Sequence, residues 1–160
     1  MSVVGSGLAS HRFAAGLMPS QLDRLAAIAS TIELAAGTRL FEEGGQATSL
    51  WLIRSGQIAL DLHVPGRDRL IVETLGAGDE LGLSWLLPPA RWQFGAVAQV
   101  GVSAFELSSA EVTRLCESDH ELGYQLSRRL LGTAIGRLQA ARIRILDLYA
   151  APSQTVGGST

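Results

Sequence analysis

The sequence predicts a mainly β domain, a sandwich or barrel, with helices before and after it. Between Thr31 and about Leu107, short apolar runs alternate with glycine-bearing turns roughly every ten residues, as is typical of antiparallel β-sheet proteins. Before Thr31, and again from Ser109 onward, apolar residues recur at helical spacing. A chain of 160 residues has room for one compact domain with one accessory element.

The composition is that of a globular protein. Apolar residues make up 47% of the chain and charged residues 18%, which excludes a disordered chain and a membrane-embedded one. The N-terminus lacks a basic segment followed by an apolar run, so we expect a cytoplasmic protein. The net charge of −2 differs from the strong basic excess of domains that bind a phosphate backbone.

Few residues could support metal, thiol or nucleophilic chemistry. Cys116 is the only cysteine, which excludes a disulfide within the chain. The histidines, His11, His63 and His120, are far apart in sequence, and we expect each at the surface. There is no Gly-x-Ser-x-Gly motif, and the absence of lysine excludes a lysine-containing phosphate loop. The sequence therefore predicts no metal site and no enzyme.

The first predicted element is a short amphipathic helix. Residues 1–10 are expected to be a flexible N-terminus, and the domain is expected to span residues 11–149. Pro19 and Ser20 favour the start of a helix, with Asp23 near its positive end. Apolar residues follow at helical spacing: Leu22, Leu25, Ala26, Ile28 and Ala29.

A β-barrel is predicted over residues 31–107. The candidate strands lie at 39–41, 50–53, 57–62 and 69–73. The candidate turns each contain glycine: Ala36-Gly37, Gly44-Gly45, Ser55-Gly56, Pro65-Gly66 and Gly76-Ala77-Gly78. Their regular spacing predicts short strands arranged in a sandwich or barrel.

Two helices are predicted after the barrel. Ser108 and Ser109 favour a helix start, with Glu111 in the first turn of a short helix that runs through Cys116. A long helix is expected over residues 120–149, followed by a flexible tail over residues 150–160. Its apolar residues repeat at intervals of three and four and form what we call the seam: Leu131, Ala134, Leu138, Ala141, Ile145 and Leu148. The seam predicts pairing with a second helix, most simply in a homodimer.

Three glycine-containing segments resemble the cyclic nucleotide-binding domain family. Residues 37–44 are similar to the family's opening G-x-x-[LI]-x-x-x-G, residues 50–60 to its central strand pair, and residues 75–82 to its L-x-x-G-D-x-[FL]-G. The resemblance spans about Phe13 to Tyr149. It implies a double-stranded β-helix, or jelly-roll barrel, with an N-terminal helix and a long C-terminal helix.

The resemblance also implies where a ligand would bind. The family's phosphate-binding cassette contains a glutamate that accepts from the ribose and an arginine that neutralises the phosphate. Here Leu83 stands at the glutamate position and Phe94 at the arginine position, while Arg91 lies three residues earlier. The candidate ligand-binding residues are Gly82, Leu83, Ser84, Trp85, Arg91, Gln93, Phe94 and Gly95.

The aromatic residues Trp85, Trp92 and Phe94 have two interpretations. They are either packing residues of the barrel and its loop, or the walls of a pocket for a flat, less polar ligand. A third alternative is that a cyclic nucleotide still binds through Arg91 and the backbone amides of 82–84.

Two functional hypotheses follow from the sequence. The first is a stand-alone regulatory module that senses a small ligand, cAMP, another cyclic nucleotide or an altered ligand, and signals through its C-terminal helix. The second is a degenerate fold that binds no nucleotide and acts as a dimerising scaffold or a protein-interaction subunit. Only residues 150–160 follow the long helix, so we expect no DNA binding by this chain alone, and we expect no membrane association.

Overall fold

The structure, a computed structural model, describes residues 3–150. The helices are α1 (Val3–Ala9), α2 (Pro19–Ala27), α3 (Ser109–Ser118) and α4 (His120–Ala150). The strands are β1 (Ala29–Leu34), β2 (Arg39–Phe41), β3 (Ser49–Ser55), β4 (Ile58–Leu62), β5 (Leu70–Leu75), β6 (Glu80–Leu81), β7 (Gly95–Ala98) and β8 (Val102–Ser108). Apart from Ala150, which ends α4, the predicted tail over residues 150–160 lies outside the described residues.

The strands form two four-stranded antiparallel sheets. One sheet has the order β1-β8-β3-β6 and the other β2-β7-β4-β5. Strands distant in sequence become neighbours, such as β1 with β8 and β2 with β7, so the chain winds back on itself as a jelly roll does. The predicted fold class, a mainly β jelly-roll barrel with an N-terminal helix and a long C-terminal helix, is confirmed.

Strand β3 shows how the sequence places two cores on the two faces of one sheet. Successive side chains of a strand point to opposite faces. Leu50 and Leu52 accordingly join the core beneath the helices, while Trp51 and Ile53 join the core between the sheets. All four are buried, which explains why the sequence shows an unbroken apolar run rather than an alternating one.

The predicted helix boundaries around the barrel agree with the structure. Helix α2 begins at Pro19, whose missing N–H costs no hydrogen bond at the first helical position. The Gln21 side chain accepts a hydrogen bond from the Met18 N–H at 3.0 Å and so fixes the start of the helix. Helix α3 begins directly after Ser108, and α4 begins at His120 as expected.

The N-terminal segment differs from the flexible stretch expected over residues 1–10. Residues Val3–Ala9 form α1, and Leu8 is fully buried in the core beneath the helices. Gly7 lets α1 approach the sheet, because a Cβ there would lie 2.9 Å from the ring of Phe105. The segment is ordered by this single buried leucine and close backbone contact rather than by an amphipathic pattern, which it lacks.

The prediction that His11 lies at the surface is wrong, because its imidazole is buried at 7% exposure. Its Nδ1 accepts from the backbone N–H of Phe13 at 3.1 Å, and its Nε2 lies 3.0 Å from the carbonyl oxygen of Ile53. These contacts fit the neutral tautomer with the proton on Nε2. Burial lowers the pKa of His11 below its usual value, against the opposing effect of the Ile53 carbonyl.

Helix α4 has a packed half and an exposed half. Near its start, Leu122, Leu126 and Leu130 are buried against α3 and the barrel. From Leu131 to Tyr149 its large apolar side chains are exposed. No helix within residues 3–150 is both long enough and apolar enough to cross a membrane.

Candidate functional site

The candidate cassette starts where β6 ends, at a glycine that no other residue could replace without strain. Gly82 has φ of +102°, in the region that favours glycine. A Cβ at this position would overlap the carbonyl oxygen of Ser49 and lie 3.2 Å from the Trp92 ring. The backbone therefore turns tightly against β3 before it enters the cassette loop.

A single 3-10 turn, Ser84–Leu86, follows Gly82 and Leu83. The Leu86 N–H donates to the Leu83 carbonyl at 3.1 Å, and no side chain caps the turn. The Leu83 side chain is partly buried and packs on the core beneath the helices. The position at which the resemblance implies an acceptor for a ribose hydroxyl is therefore apolar.

A cavity of about 200 Å³ lies between this turn, the inner face of the barrel and α4; we call it the barrel cavity. Five of the eight candidate ligand-binding residues line it: Gly82, Leu83, Ser84, Gln93 and Phe94. Its other walls are Phe41, Leu60, Leu81 and Trp92 from the barrel, and Ala134 and Arg137 from α4. Most of the lining is apolar, and Arg137 is its only formal charge among the described residues.

The remaining three candidates, Arg91, Trp85 and Gly95, lie elsewhere. Arg91 is exposed, and its Nη1 donates to the Gly44 carbonyl at 3.3 Å. Trp85 packs between the two cores, and its buried Nε1 has no hydrogen-bond partner among residues 3–150. Gly95 starts β7, where a Cβ would overlap the carboxylate of Asp61.

Arg91 instead borders a second depression, which we call the loop groove. The groove has a volume of about 690 Å³ and lies between residues 83–93 and the first exposed turns of α4. Its lining is mainly apolar and includes Leu86, Leu87, Leu130 and Leu131. The structure does not bring Arg91 into the barrel cavity, so it does not replace the cassette arginine there.

Arg39, which lies beside Gly95 at the end of the cassette loop, forms an ion pair. Arg39 donates to both oxygens of Asp61, at 3.1 and 2.7 Å, and Asp61 is only 3% exposed. The hydrogen bonds from Arg39 hold the pKa of Asp61 below its usual value despite its burial. Arg69 and Glu42 extend the pair into a network on the β4–β5 face. Each charged side chain of this network has an ion-pair partner within it.

The sequence-based set of ligand-binding candidates omitted six residues that line the cavity, among them Phe41, Trp92 and Arg137. Trp92 stacks on Phe41, with ring centroids 3.9 Å apart and planes 13° apart, and Trp92 is buried. Trp92 was interpreted as packing or as a pocket wall, and in the structure it is both. Only the position of Arg137, three residues after Ala134, indicates in the sequence that the two residues share a face of α4.

The six seam residues follow one stripe of α4. Leu131, Leu138, Ile145 and Leu148 are all exposed, and Leu148 is 79% exposed. Ala134 belongs both to the seam and to the wall of the barrel cavity. The seam therefore begins beside the cavity and continues toward the C-terminal end of α4.

The fold, the glycine-led cassette and the helix across the cavity define a jelly-roll barrel domain with a cassette loop between β6 and β7. Residues 31–119 match the profile of the cyclic nucleotide-binding domain, and the chain belongs to this family. The identification by resemblance is thereby confirmed. No curated protein matches the chain in sequence.

Solved structures agree with this family. A cyclic nucleotide-binding domain from Methylobacillus flagellatus KT has a TM-score of 0.78 and 18% identity, covering 96% of this chain and 85% of its own. A cyclic nucleotide-binding-like protein from Brucella abortus has a TM-score of 0.60 and 29% identity, and the match covers 72% of this chain and 99% of that protein. The catabolite activator protein of Thermus thermophilus has a TM-score of 0.69 and 22% identity, and the match covers 87% of this chain and 63% of that protein. Within residues 3–150, no group of His, Cys, Asp or Glu could hold a metal ion.

Proposed function

We propose that this chain is a non-catalytic regulatory module that senses a small ligand in the barrel cavity and signals through α4. One observation carries the proposal: the walls of the cavity come from both the barrel and α4, through Ala134 and Arg137. A ligand that contacts both elements has different affinities for different helix positions. That difference is what a ligand needs in order to shift a conformational equilibrium.

The cavity favours an altered ligand over an ordinary cyclic nucleotide. Leu83 and Phe94 remove the acceptor and the cation that the family resemblance implies, and Arg91 faces another groove. A hydrogen bond to a charged group contributes about 1.5–3 kcal/mol, so losing two weakens binding by ~10²-fold to ~10⁴-fold. A volume of about 200 Å³ also lies below the range of roughly 300–1,000 Å³ typical of pockets for larger ligands.

The proposed output is a homodimer that pairs through the seam of α4. Four large apolar side chains of the seam are exposed along α4, which is 31 residues long. Two copies of one helix in parallel about a two-fold axis place each seam residue against its own counterpart. Because Ala134 is shared with the cavity, ligand occupancy and helix pairing act on the same turn of α4.

Calorimetric titration with cAMP and cGMP tests the ligand assignment. We expect no micromolar binding by the wild-type chain and a gain of binding in the double variant Leu83→Glu/Phe94→Arg, which restores the two missing groups. The single variants serve as matched controls. Micromolar binding by the wild type would contradict an altered ligand and would assign the domain to ordinary cyclic nucleotides.

A second candidate function, a scaffold with no ligand, is favoured by the stacking of Trp92 on Phe41. The two rings fill much of the barrel interior, which leaves only the small cavity beside α4. In this case dimerisation would be constitutive. Light scattering with and without a cavity ligand separates the two functions, since only a sensor changes its dimerisation constant when the cavity is filled.

A further inference from the structure

Arg137 is the only charged residue among the described residues that line the barrel cavity. It also borders a polar pocket lined by Glu73, Asp79 and Glu80. It comes from α4, whereas the cassette loop and the barrel contribute Leu83, Phe94, Leu60 and other uncharged residues. Its side chain is about 21% exposed, so it is held against the protein rather than extended into solvent. A guanidinium at this place is an anchor for an anion whose body is apolar.

The contacts of Arg137 fix its orientation, and its charge is only partly balanced by the carboxylates of Glu73, Glu80 and Asp79. Its Nη2 donates to the backbone carbonyl of Glu80, which carries no formal charge. Its Nε lies 3.8 Å from a carboxylate oxygen of Glu73, too far for a good hydrogen bond. Nη1 has no hydrogen bond to any of residues 3–150. The Arg137 guanidinium is therefore held in one orientation, and its Nη1 is available to donate to a ligand.

The buried carboxylate of Glu80, which lies close to Arg137, is hydrogen-bonded to another residue of α4. Glu80 is 7% exposed, and its Oε2 accepts from the Thr133 hydroxyl at 3.0 Å. Thr133 lies on α4 one turn before Arg137, so the same strand end holds the helix through a hydroxyl and a guanidinium. Burial lowers the pKa of Arg137, and Glu73 and Glu80 oppose this effect; an arginine so placed gains from an anionic partner.

We propose that the barrel cavity binds a small, flat, apolar monoanion, of the class of aromatic carboxylates, with Arg137 as the partner of the carboxylate. Phe41, Trp92 and Phe94 supply aromatic surface for a ring, and Leu60 and Leu81 supply aliphatic surface. An apolar cavity of about 150 Å³ is large enough for a benzene ring, so about 200 Å³ admits a ring with one carboxylate. A carboxylate and a guanidinium match in shape and form two parallel hydrogen bonds.

This inference rests on the proposed function and names the ligand class of the same site. It differs from the family's ligand chemistry because the cation comes from the helix rather than from the cassette. A carboxylate held by Arg137 would bridge β6 and α4 through one residue, since Arg137 already contacts the Glu80 carbonyl. Occupancy would then restrict α4 at the turn that begins the seam.

Calorimetry with benzoate, and with benzamide as its neutral isostere, tests the assignment. A ligand of this size is expected to bind with a Kd between about 1 µM and 1 mM. We expect benzoate to bind the wild type at least about tenfold more tightly than benzamide, since an ionic hydrogen bond contributes that much. Arg137→Gln should remove this preference, and Arg137→Lys should retain part of it.

The matched control is Arg128→Gln, which makes the same charge change on an exposed residue of α4 outside the cavity. It should bind benzoate as the wild type does. Far-ultraviolet circular dichroism confirms that each variant is folded. Equal binding of benzoate and benzamide, unaffected by Arg137→Gln, would overturn the anion assignment and leave a ligand-sensing cavity. No binding of either compound by the folded wild type would overturn both the assignment and the sensor.

Discussion

Trp92 and Phe41 stack face to face inside the barrel, with ring centroids 3.9 Å apart, although 50 residues separate them in sequence. Trp51 extends the cluster, at 5.6 Å from Phe41 and 5.8 Å from Trp92. The cluster lies beneath the cassette turn, where the Trp92 ring also approaches Gly82. It therefore both supports the core between the sheets and sets the depth of the barrel cavity.

Replacing Trp92 by alanine should strongly destabilise the domain. The indole is 5% exposed and loses its stacking partners and its core contacts together. Deletion of a buried tryptophan costs about 3–5 kcal/mol, which urea unfolding would measure. Phe94→Ala is the control, because Phe94 is 38% exposed and should cost far less. Similar losses in the two variants would contradict the role given to the cluster.

The Arg39–Asp61 pair should make the free energy of unfolding depend on pH in the acidic range. The pKa of Asp61 is lowered in the folded state, mainly by its hydrogen bonds from Arg39. The pair therefore stabilises the fold above the ordinary pKa of an aspartate, about 4, and this contribution is lost as the pH falls through the lower folded pKa. Asp61→Asn should reduce the dependence of the free energy of unfolding on pH below about pH 4.

The same variant should lower stability at neutral pH, by about 3–5 kcal/mol, because it leaves the Arg39 guanidinium without its buried partner. Asp68→Asn, at an exposed turn residue, is the matched control. An Asp61→Asn protein as stable as the wild type at pH 7 would show that the pair contributes nothing.

His11 should make the domain less stable as the pH falls below about 6.5. Its pKa is lowered by burial, so the unfolded chain takes up a proton before the folded one does. Protonation would also turn Nδ1 into a donor that faces the Phe13 N–H. His11→Gln should remove this pH dependence of thermal unfolding, whereas His63→Gln at an exposed site should retain it. Identical pH profiles for both variants would refute the assignment.

Pairing through the seam predicts that a charge within it separates the dimer. Leu138→Glu and Ile145→Glu each place two carboxylates against each other in a parallel pair, so both should shift the mass measured by light scattering from dimer to monomer. Leu146→Glu is the control, since Leu146 is also exposed but lies off the seam. Loss of the dimer in the control alone would assign pairing to another face of α4.

Local signals in the sequence were sufficient for most of the fold. The glycine-bearing turns predicted four of the eight strands, β2 to β5, and Pro19 and Ser108 predicted where two helices begin, because such residues favour turns and helix starts locally. The cassette was located through the family resemblance of residues 75–82, and Gly82 adopts a positive φ there at a tight turn. These features depend on a few neighbouring residues and so are visible without tertiary structure.

Long-range contacts were not predictable from one sequence. The burial of His11 depends on the Ile53 carbonyl, 42 residues away, and Arg137 becomes a cavity wall only because α4 crosses the barrel at Glu80. Helix α1 is held by Leu8 in a core made by other elements. None of these residues carries a local pattern that distinguishes it from a surface residue.

Amide hydrogen exchange of α4, with the cavity empty and filled, tests the central claim most directly. The account predicts that saturating benzoate slows exchange across residues 131–138, where Ala134 and Arg137 meet the cavity, and that Arg137→Gln abolishes the change. Exchange in α3, which lies away from the barrel cavity, is the internal control. Unchanged exchange in α4 at calorimetric saturation would contradict a regulatory module and identify the domain as a scaffold.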